Sequence, residues 1–276
     1  MSDKNSETIH REVRKRYARL AKEDGSPAQG ISCCSTDSNC CPPVTDQAAV
    51  FYNDQVIADL PNEVVEFSLG CGDPITLAEL QPGQAVLDLG SGGGLDCFLA
   101  ARKVAPDGHV IGVDMTPAMI DKANGNLMKQ GLENVEFRLG EIEKLPVDDD
   151  SIDVVISNCV INLSPNKPQT FQEIFRVLKR GGKLAVSDTV ASEPIAEAIK
   201  MDLQSWAACV AGSLTADEYE GMLKAAGFEN ITLDGVPPNG TMGVNTDVSG
   251  DILKSNPDTD DLFHQVFNAR ITAYKP

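Results

Sequence analysis

From residue 82 onward the chain alternates between short, nearly unbroken apolar runs and longer segments of mixed polarity. The short runs predict strands at Ala85–Leu89 (AVLDL), residues 110–114 (VIGVD), Val135–Leu139, residues 152–157 (IDVVIS) and residues 183–189. The first of these reads as a buried strand. The segments between them predict helices. One covers Leu95–Val104. A second runs over Pro117–Gln130, with Thr116 as cap, Pro117 at the first helical position and Gly131 as stop. A third covers residues 170–179 and is closed by Gly181-Gly182. Strands alternating with helices predict a parallel sheet with helices on both faces.

Outside this stretch the rhythm changes. Residues 7–20 predict a short basic helix carrying Arg11, Arg14, Lys15, Arg16 and Arg19. Residues 24–46 are rich in Gly, Ser, Pro, Asn and Cys and read as a loop or mobile arm. Leu60-Pro61 with Glu63 suggests a turn into a helix. After Val190, helices are expected over residues 195–211 and 215–226. Short strands at residues 231–233 and 269–274 complete the sheet, with an irregular segment, 236–260, between them. The expected organisation is an arm at 1–46, a ligand-binding α/β domain at 47–190 and a C-terminal α+β region at 191–276.

Composition narrows the function classes. The formal net charge of −18 repels nucleic acid backbones and anionic lipid surfaces, so neither is an expected partner. Aromatic residues make up 5% of the chain, with Trp206 the single tryptophan, which disfavours stacking platforms for bases. The start of the chain lacks an apolar stretch of signal-peptide length, and no run of about 18 apolar residues occurs. The expectation is a cytoplasmic protein. Its eight cysteines, Cys33, Cys34, Cys40, Cys41, Cys71, Cys97, Cys159 and Cys209, then read as soft-metal ligands, redox thiols or core residues rather than a disulfide framework. Cys97, on the helix after the glycine turn, reads as core. His10, His109 and His264 stand in no catalytic context.

The turn Asp88-Leu-Gly-Ser-Gly-Gly-Gly94 lies directly between a strand and a helix. Its glycines let the backbone approach a ligand, and the helix start adds free N–H donors. Asp114 ends the next strand, where a carboxylate can accept from both ribose hydroxyls. A dinucleotide site shares both features. The discriminator is Asp88, a carboxylate that suits a cationic amino-acid end rather than phosphates. Glu141, in the Gly140-Glu-Ile142 turn, can meet an adenine amino group. The three in order resemble the class I methyltransferase pattern, whose fold is a Rossmann-like sheet and whose methyl donor is S-adenosylmethionine.

The resemblance then becomes specific. The stretches Ser68-Leu-Gly-Cys-Gly-Asp-Pro74, Val86-Leu-Asp-Leu-Gly-Ser-Gly-Gly-Gly-Leu-Asp96, Gly112-Val-Asp-Met-Thr-Pro117, Gly140-Glu-Ile-Glu-Lys-Leu-Pro146 and Ser157-Asn-Cys-Val-Ile-Asn-Leu-Ser-Pro165 resemble those of arsenite methyltransferases. The resemblance covers residues 45–230. It implies a cofactor site formed by Asp88, Gly90, Ser91, Gly92, Asp114, Met115, Glu141, Ile142 and Asn158. It also implies that Cys71, Cys159 and Cys209 ligate trivalent arsenic. The chemistry is consistent, because thiolates suit a soft centre, and three sulfurs in a pyramid leave arsenic a lone pair to act as nucleophile.

The paired cysteines Cys33-Cys34 and Cys40-Cys41 could hold zinc. The resemblance implies instead a redox arm, with Cys33 or Cys34 closing onto Cys71 to return the two electrons that methylation takes from arsenic. A thiol reductant such as thioredoxin or glutathione is then a co-substrate. The expected substrate is trivalent arsenic, presented as a thiol conjugate, and the expected state is a monomer. Two rivals remain at this point: a C- or O-methyltransferase of small molecules, and a thiol-rich sequestration protein without turnover. The second has no use for Asp88, Asp114 and Glu141.

Overall fold

The computed structural model describes residues 3–22, 52, 57, 60, 62–65, 70–196, 200, 206, 211–235 and 266–276. Cys33, Cys34, Cys40, Cys41 and Cys209 lie outside the described residues. So do the arm, the irregular segment and most of the helix expected at 195–211.

Among the described residues an eight-stranded sheet organises the fold. In chain order the elements are α1 (Asp3–Lys22), α2 (Asn62–Val65), α3 (Pro74–Ala78), β1 (Ala85–Leu89), α4 (Leu95–Val104), β2 (His109–Asp114), α5 (Pro117–Gln130), β3 (Val135–Leu139), β4 (Ile152–Asn158), α6 (Lys167–Val177), β5 (Leu178–Ala191), β6 (Leu214–Thr215), α7 (Ala216–Ala226), β7 (Glu229–Gly235) and β8 (Val266–Tyr274). Strand order is β3-β2-β1-β4-β5-β8-β7, with β6 pairing alongside the end of β5. Strands β1 to β5 are parallel, and β8 runs antiparallel between β5 and β7. The chain therefore reverses its direction of travel across the sheet between β1 and β4. In open α/β folds the crevice outside the carboxyl ends at that point binds ligands.

Local sequence explains most boundaries. Thr116 and Gly131 bracket α5, with Gly131 in the left-handed conformation. Thr215 and Glu218 form a reciprocal capping box at α7. One expectation fails. Gly181-Gly182 does not close the helix, which ends at Val177. The pair lies inside β5, where Gly181 takes φ +79° and the β4–β5 register shifts. The strand is 14 residues long because this kink lets it continue past the irregularity to pair with β8. Asn166, whose side chain caps the helix by accepting from the Gln169 amide, starts α6 three residues earlier than expected.

Both faces of the sheet are covered. Leu87, Leu89, Val155, Leu184 and Ile271 pack with Phe171, Ile174, Tyr219 and Leu223 of α6 and α7. Val86, Val110, Val154, Ile156 and Ala185 pack with Phe98, Leu99, Ala101 and Val104 of α4, and with Ile75 and Ala78 of α3. A third, smaller cluster joins Ile9 and Val13 of α1 to Leu163, Trp206 and Ala211, with Tyr17 and Met115 against it. Ile9, Val13 and Tyr17 are spaced four apart, so one stripe of α1 is apolar. Burying Ile9 and Val13 contributes about 2 kcal/mol each, which fixes an otherwise polar helix over the crevice. Among the described residues no helix is long and apolar enough to cross a membrane.

Candidate functional site

The crevice opens at the carboxyl ends of β1, β2 and β4. Its lining includes the turn residues Asp88, Gly90, Ser91, Gly92 and Gly93, then Asp96, Asp114, Met115, Gly140, Ile142, Glu143, Asn158 and Cys159. The turn is tight for a reason. Gly90 sits at φ +69°, and a Cβ there would lie 2.7 Å from Cγ1 of Val160, in the loop after β4. The glycine turn and the cysteine loop thus pack directly against each other. The Ser91 hydroxyl is buried and finds no hydrogen-bond partner among the described residues.

Three aspartates, Asp88, Asp96 and Asp114, line this cavity beside Glu143. Burial raises the pKa of each, and for Asp88 the neighbouring Asp96 raises it further. Asp96 is raised to about 6. Asp88 receives a hydrogen bond from the buried Cys97 thiol at 3.2 Å, so Cys97 both fills the core and supports the site. Asp114 accepts from the Gly92 amide at 3.1 Å and from the Thr116 amide at 2.8 Å, which fixes the end of β2 to the turn. Such a concentration of buried negative charge is costly unless a cation or several donors complete it.

Glu141 is not among the residues that line the crevice. Its side chain, 42% exposed, turns to Arg14 of α1 at 2.6 Å and lies 3.7 Å from His10 Nδ1. Glu143, two residues on, lines the crevice instead. It meets His10 Nε2 at 3.1 Å and accepts from the Ser164 hydroxyl. Burial pushes the Glu143 pKa up, but the hydrogen bonds from His10 and Ser164 bring it below its ordinary value. His10, with Val13 and Tyr17, forms part of the crevice wall. Sequence reasoning gives His10 no role. The available signal was the four-residue spacing of His10 and Arg14, which places both on one helix face.

The sulfurs converge at the same mouth. Cys71, from the loop before α3, and Cys159, just past β4, are joined as a disulfide, with Cα atoms 5.9 Å apart and a sequence separation of 88. The sequence expects Cys71 to pair with Cys33 or Cys34, which lie outside the described residues; here its partner is Cys159. Cys159 is a non-glycine residue at φ +58°, and its amide donates to the Ser187 carbonyl at 2.8 Å. The glycines around Cys71 are required by proximity. A Cβ at Gly70 would lie 2.5 Å from Asn158 Cγ, and one at Gly72 would lie 2.7 Å from Ser187 Cβ. The Cys71 loop therefore lies flat on the ends of β4 and β5. Among the described residues no group of three or more His, Cys, Asp or Glu side chains has metal-holding geometry.

Comparison with known proteins adds an independent line. A family model described as a methyltransferase domain matches residues 80–227. The chain is 46% identical over 243 residues to an arsenite methyltransferase of Halobacterium salinarum, covering 84% of this chain and 60% of that protein. It is 34% identical over 232 residues to an arsenite methyltransferase of Aquipseudomonas alcaligenes, covering 82% and 63%. The chain thus spans about three-fifths of the length of these curated relatives. Its fold is similar to that of an arsenic(III) S-adenosylmethionine methyltransferase from Chlamydomonas reinhardtii. That match has a TM-score of 0.65 and 31% identity, over 80% of this chain and 72% of that one.

Proposed function

The chain belongs to the arsenite methyltransferase family, and from that premise we propose that it transfers methyl groups from S-adenosylmethionine to trivalent arsenic held on cysteine thiolates. One observation carries the reading. Two sulfurs from distant segments, Cys71 and Cys159, meet at the mouth of the glycine-turn crevice.

The crevice fits the methyl donor. Gly90 leaves the backbone bare, Ser91 offers an unpaired buried hydroxyl, and the buried carboxylates suit a ligand with cationic groups. Asp88 and Asp96 would hold the cationic amino-acid end, and Asp114 the ribose hydroxyls. Met115 and Ile142 would flank the adenine, and the loop from Gly140 to Glu143 would border it. When bound, S-adenosylmethionine supplies a sulfonium methyl, an electrophile that needs no acid or base from the protein. The chain's own contribution is positioning.

Reduced Cys71 and Cys159, with Cys209 as the third thiolate, hold arsenic with its lone pair free. Methylation takes two electrons from arsenic formally. Two thiols return them by closing as a disulfide, with Cys33 or Cys34 as the second source of sulfur. While Cys71 and Cys159 are joined to each other, neither can ligate arsenic. A thiol reductant of the thioredoxin or glutathione kind is therefore a co-substrate. Chemistry that depends on reduced thiols belongs in a reducing compartment, so we place the protein in the cytoplasm. The substrate on this reading is a thiol conjugate of arsenic, and the acting state is a monomer.

The test incubates reduced protein with arsenite, S-adenosylmethionine and a thiol reductant, then separates the arsenic species. The parent yields methylated arsenicals. Cys71→Ser and Cys159→Ser yield none, while both still bind S-adenosylhomocysteine. Full activity in both variants, or methylation of a quinone or phenol with none of arsenite, overturns the proposal.

A further inference from the structure

Asn158 ends β4, next to Cys159, and its side chain is the hub of a polar cluster. Its Oδ1 accepts from the Cys71 amide at 2.8 Å, and its Nδ2 donates to the Gly72 carbonyl at 2.9 Å. One amide group therefore holds the backbone on both sides of the Cys71 sulfur. The same Nδ2 lies 3.1 Å from the Tyr52 hydroxyl and 3.3 Å from Asp96 Oδ2. Tyr52, itself buried, donates to Asp96 Oδ1 at 2.5 Å. Asp96 lies in the first turn of α4 and lines the crevice. The cluster thus runs from a carboxylate of the donor pocket, through Tyr52 and Asn158, to the loop that carries Cys71.

We propose that Asn158 is the positioning residue that holds the Cys71 sulfur against the Cys159 sulfur, with Tyr52 and Asp96 fixing the orientation of its amide. Three features support it. Asn158 is one residue from Cys159 in the chain and clamps Cys71 through both of its amide atoms, so it ties the two cysteines to one point. The clamp is close enough that Gly70 has no room for a Cβ. The amide orientation is also dictated. An Asp96 carboxylate already accepting from Tyr52 demands the NH2 group on its side, which leaves the oxygen for the Cys71 amide. Asn158 does not touch the reacting atoms through this network; it acts through the Cys71 loop. The inference deepens the arsenic reading, because two thiols held at one spacing are what a shared soft atom requires.

The test measures that spacing without arsenic or S-adenosylmethionine. Full-length protein is equilibrated in glutathione redox buffers, and the Cys71–Cys159 disulfide is quantified by peptide mapping. In this exchange two thiols lose two electrons and two protons to glutathione disulfide, which leaves as two glutathione thiols. The equilibrium constant reports the effective concentration of one thiol at the other. Asn158→Ala removes both clamps and is expected to lower it about tenfold or more. Tyr52→Phe removes a single hydroxyl and is expected to lower it about fivefold. Should Asn158→Ala fail to fold, Tyr52→Phe decides alone. A folded variant of either kind that pairs these cysteines as strongly as the parent overturns the proposal, even if its melting temperature falls. The pairing constant is independent of substrate identity. A drop in pairing with no arsenite turnover in the parent would therefore sink only the proposed function.

Discussion

The packing of Gly90 against Val160 sets up a measurable coupling between the glycine turn and the cysteine loop. Gly90→Ala places a Cβ at a backbone with φ +69° and drives it into the Val160 methyls. The left-handed conformation costs an alanine about 1–2 kcal/mol. The overlap costs about 1–3 kcal/mol more, because the added carbon enters a packed site. The single variant should therefore lose about 3.5 kcal/mol, the sum of the mid-range values of these two terms, about 1.5 and about 2 kcal/mol. Val160→Ala removes two partly buried methyl groups and should cost about 1 kcal/mol. In the double variant the space vacated by Val160 receives the new Cβ, so the overlap disappears and only the backbone term and the lost valine remain. The expected double-variant loss is about 2.5 kcal/mol rather than the additive value of about 4.5, a coupling of about 2 kcal/mol. Urea denaturation of the four proteins under reducing conditions measures it. Affinity for S-adenosylhomocysteine should fall in Gly90→Ala, where the overlap with Val160 displaces the crevice lining, and recover in part in the double variant, where that overlap is relieved. Stabilities that add within about 0.5 kcal/mol would refute the contact.

Three further outcomes follow from the titratable groups around the crevice. Burial raises the Asp96 pKa to about 6, so folding takes up a proton between the ordinary value of 3.8 and that value, and the free protein loses stability as pH rises through that window. A cationic ligand needs the ionised form. Calorimetry should then show affinity for S-adenosylmethionine falling about tenfold per pH unit below 6, and a flat profile would remove Asp96 from the site. His10 is raised above 6.5, chiefly by its hydrogen bond to Glu143. Its stabilisation is complete below 6.5 and is lost as pH rises through the folded value. The stability difference between the parent and His10→Gln, read from denaturant midpoints, should shrink by about 1 kcal/mol across that range, and a constant difference would detach His10 from Glu143. Lastly, Glu143→Gln should weaken S-adenosylhomocysteine binding more than Glu141→Gln, because Glu143 lines the crevice while Glu141 faces Arg14; the reverse ranking in calorimetry would restore Glu141 to the adenine.

The fold was readable where local pattern decides it. The bounds of β1, α4, α5 and β3 follow from apolar runs, Thr116, Pro117 and the left-handed Gly131, all signals within a few residues. Gly181-Gly182 was misread because a glycine pair after a helix and a glycine pair within a kinked strand look alike. Only the β5–β8 pairing, made by residues about 90 positions on, selects the second. The carboxylates Asp88 and Asp114 were legible because the strand–turn–helix pattern places them at strand ends. The third carboxylate, Asp96, was not. Its role depends on Tyr52, 44 residues away, and Asn158, 62 residues away, meeting it. His10 was missed for the same reason, since nothing along α1 announces the two glutamates it docks against.

Cys159 combines two costs that ordinary packing does not explain. It holds a left-handed backbone conformation, which a β-carbon disfavours and which glycine would adopt freely. It also buries its side chain beside Thr189, whose hydroxyl lies 3.6 Å from the sulfur. A structural cysteine on a strand would sit in extended geometry, as Cys97 sits in ordinary helical geometry within α4. Strain of this kind persists where the surroundings hold it in place. Here the surroundings are identifiable: the Cys159 amide is tied to Ser187, the preceding Asn158 is tied to Cys71 and Gly72, and the following Val160 is wedged against Gly90. The left-handed turn swings the chain away from the end of β4 and aims the sulfur at Cys71 instead of along the strand. The same three residues therefore touch the glycine turn, hold one sulfur and present another. That arrangement has a physical rationale if the two sulfurs serve an atom placed before the crevice, and none if Cys159 is merely core.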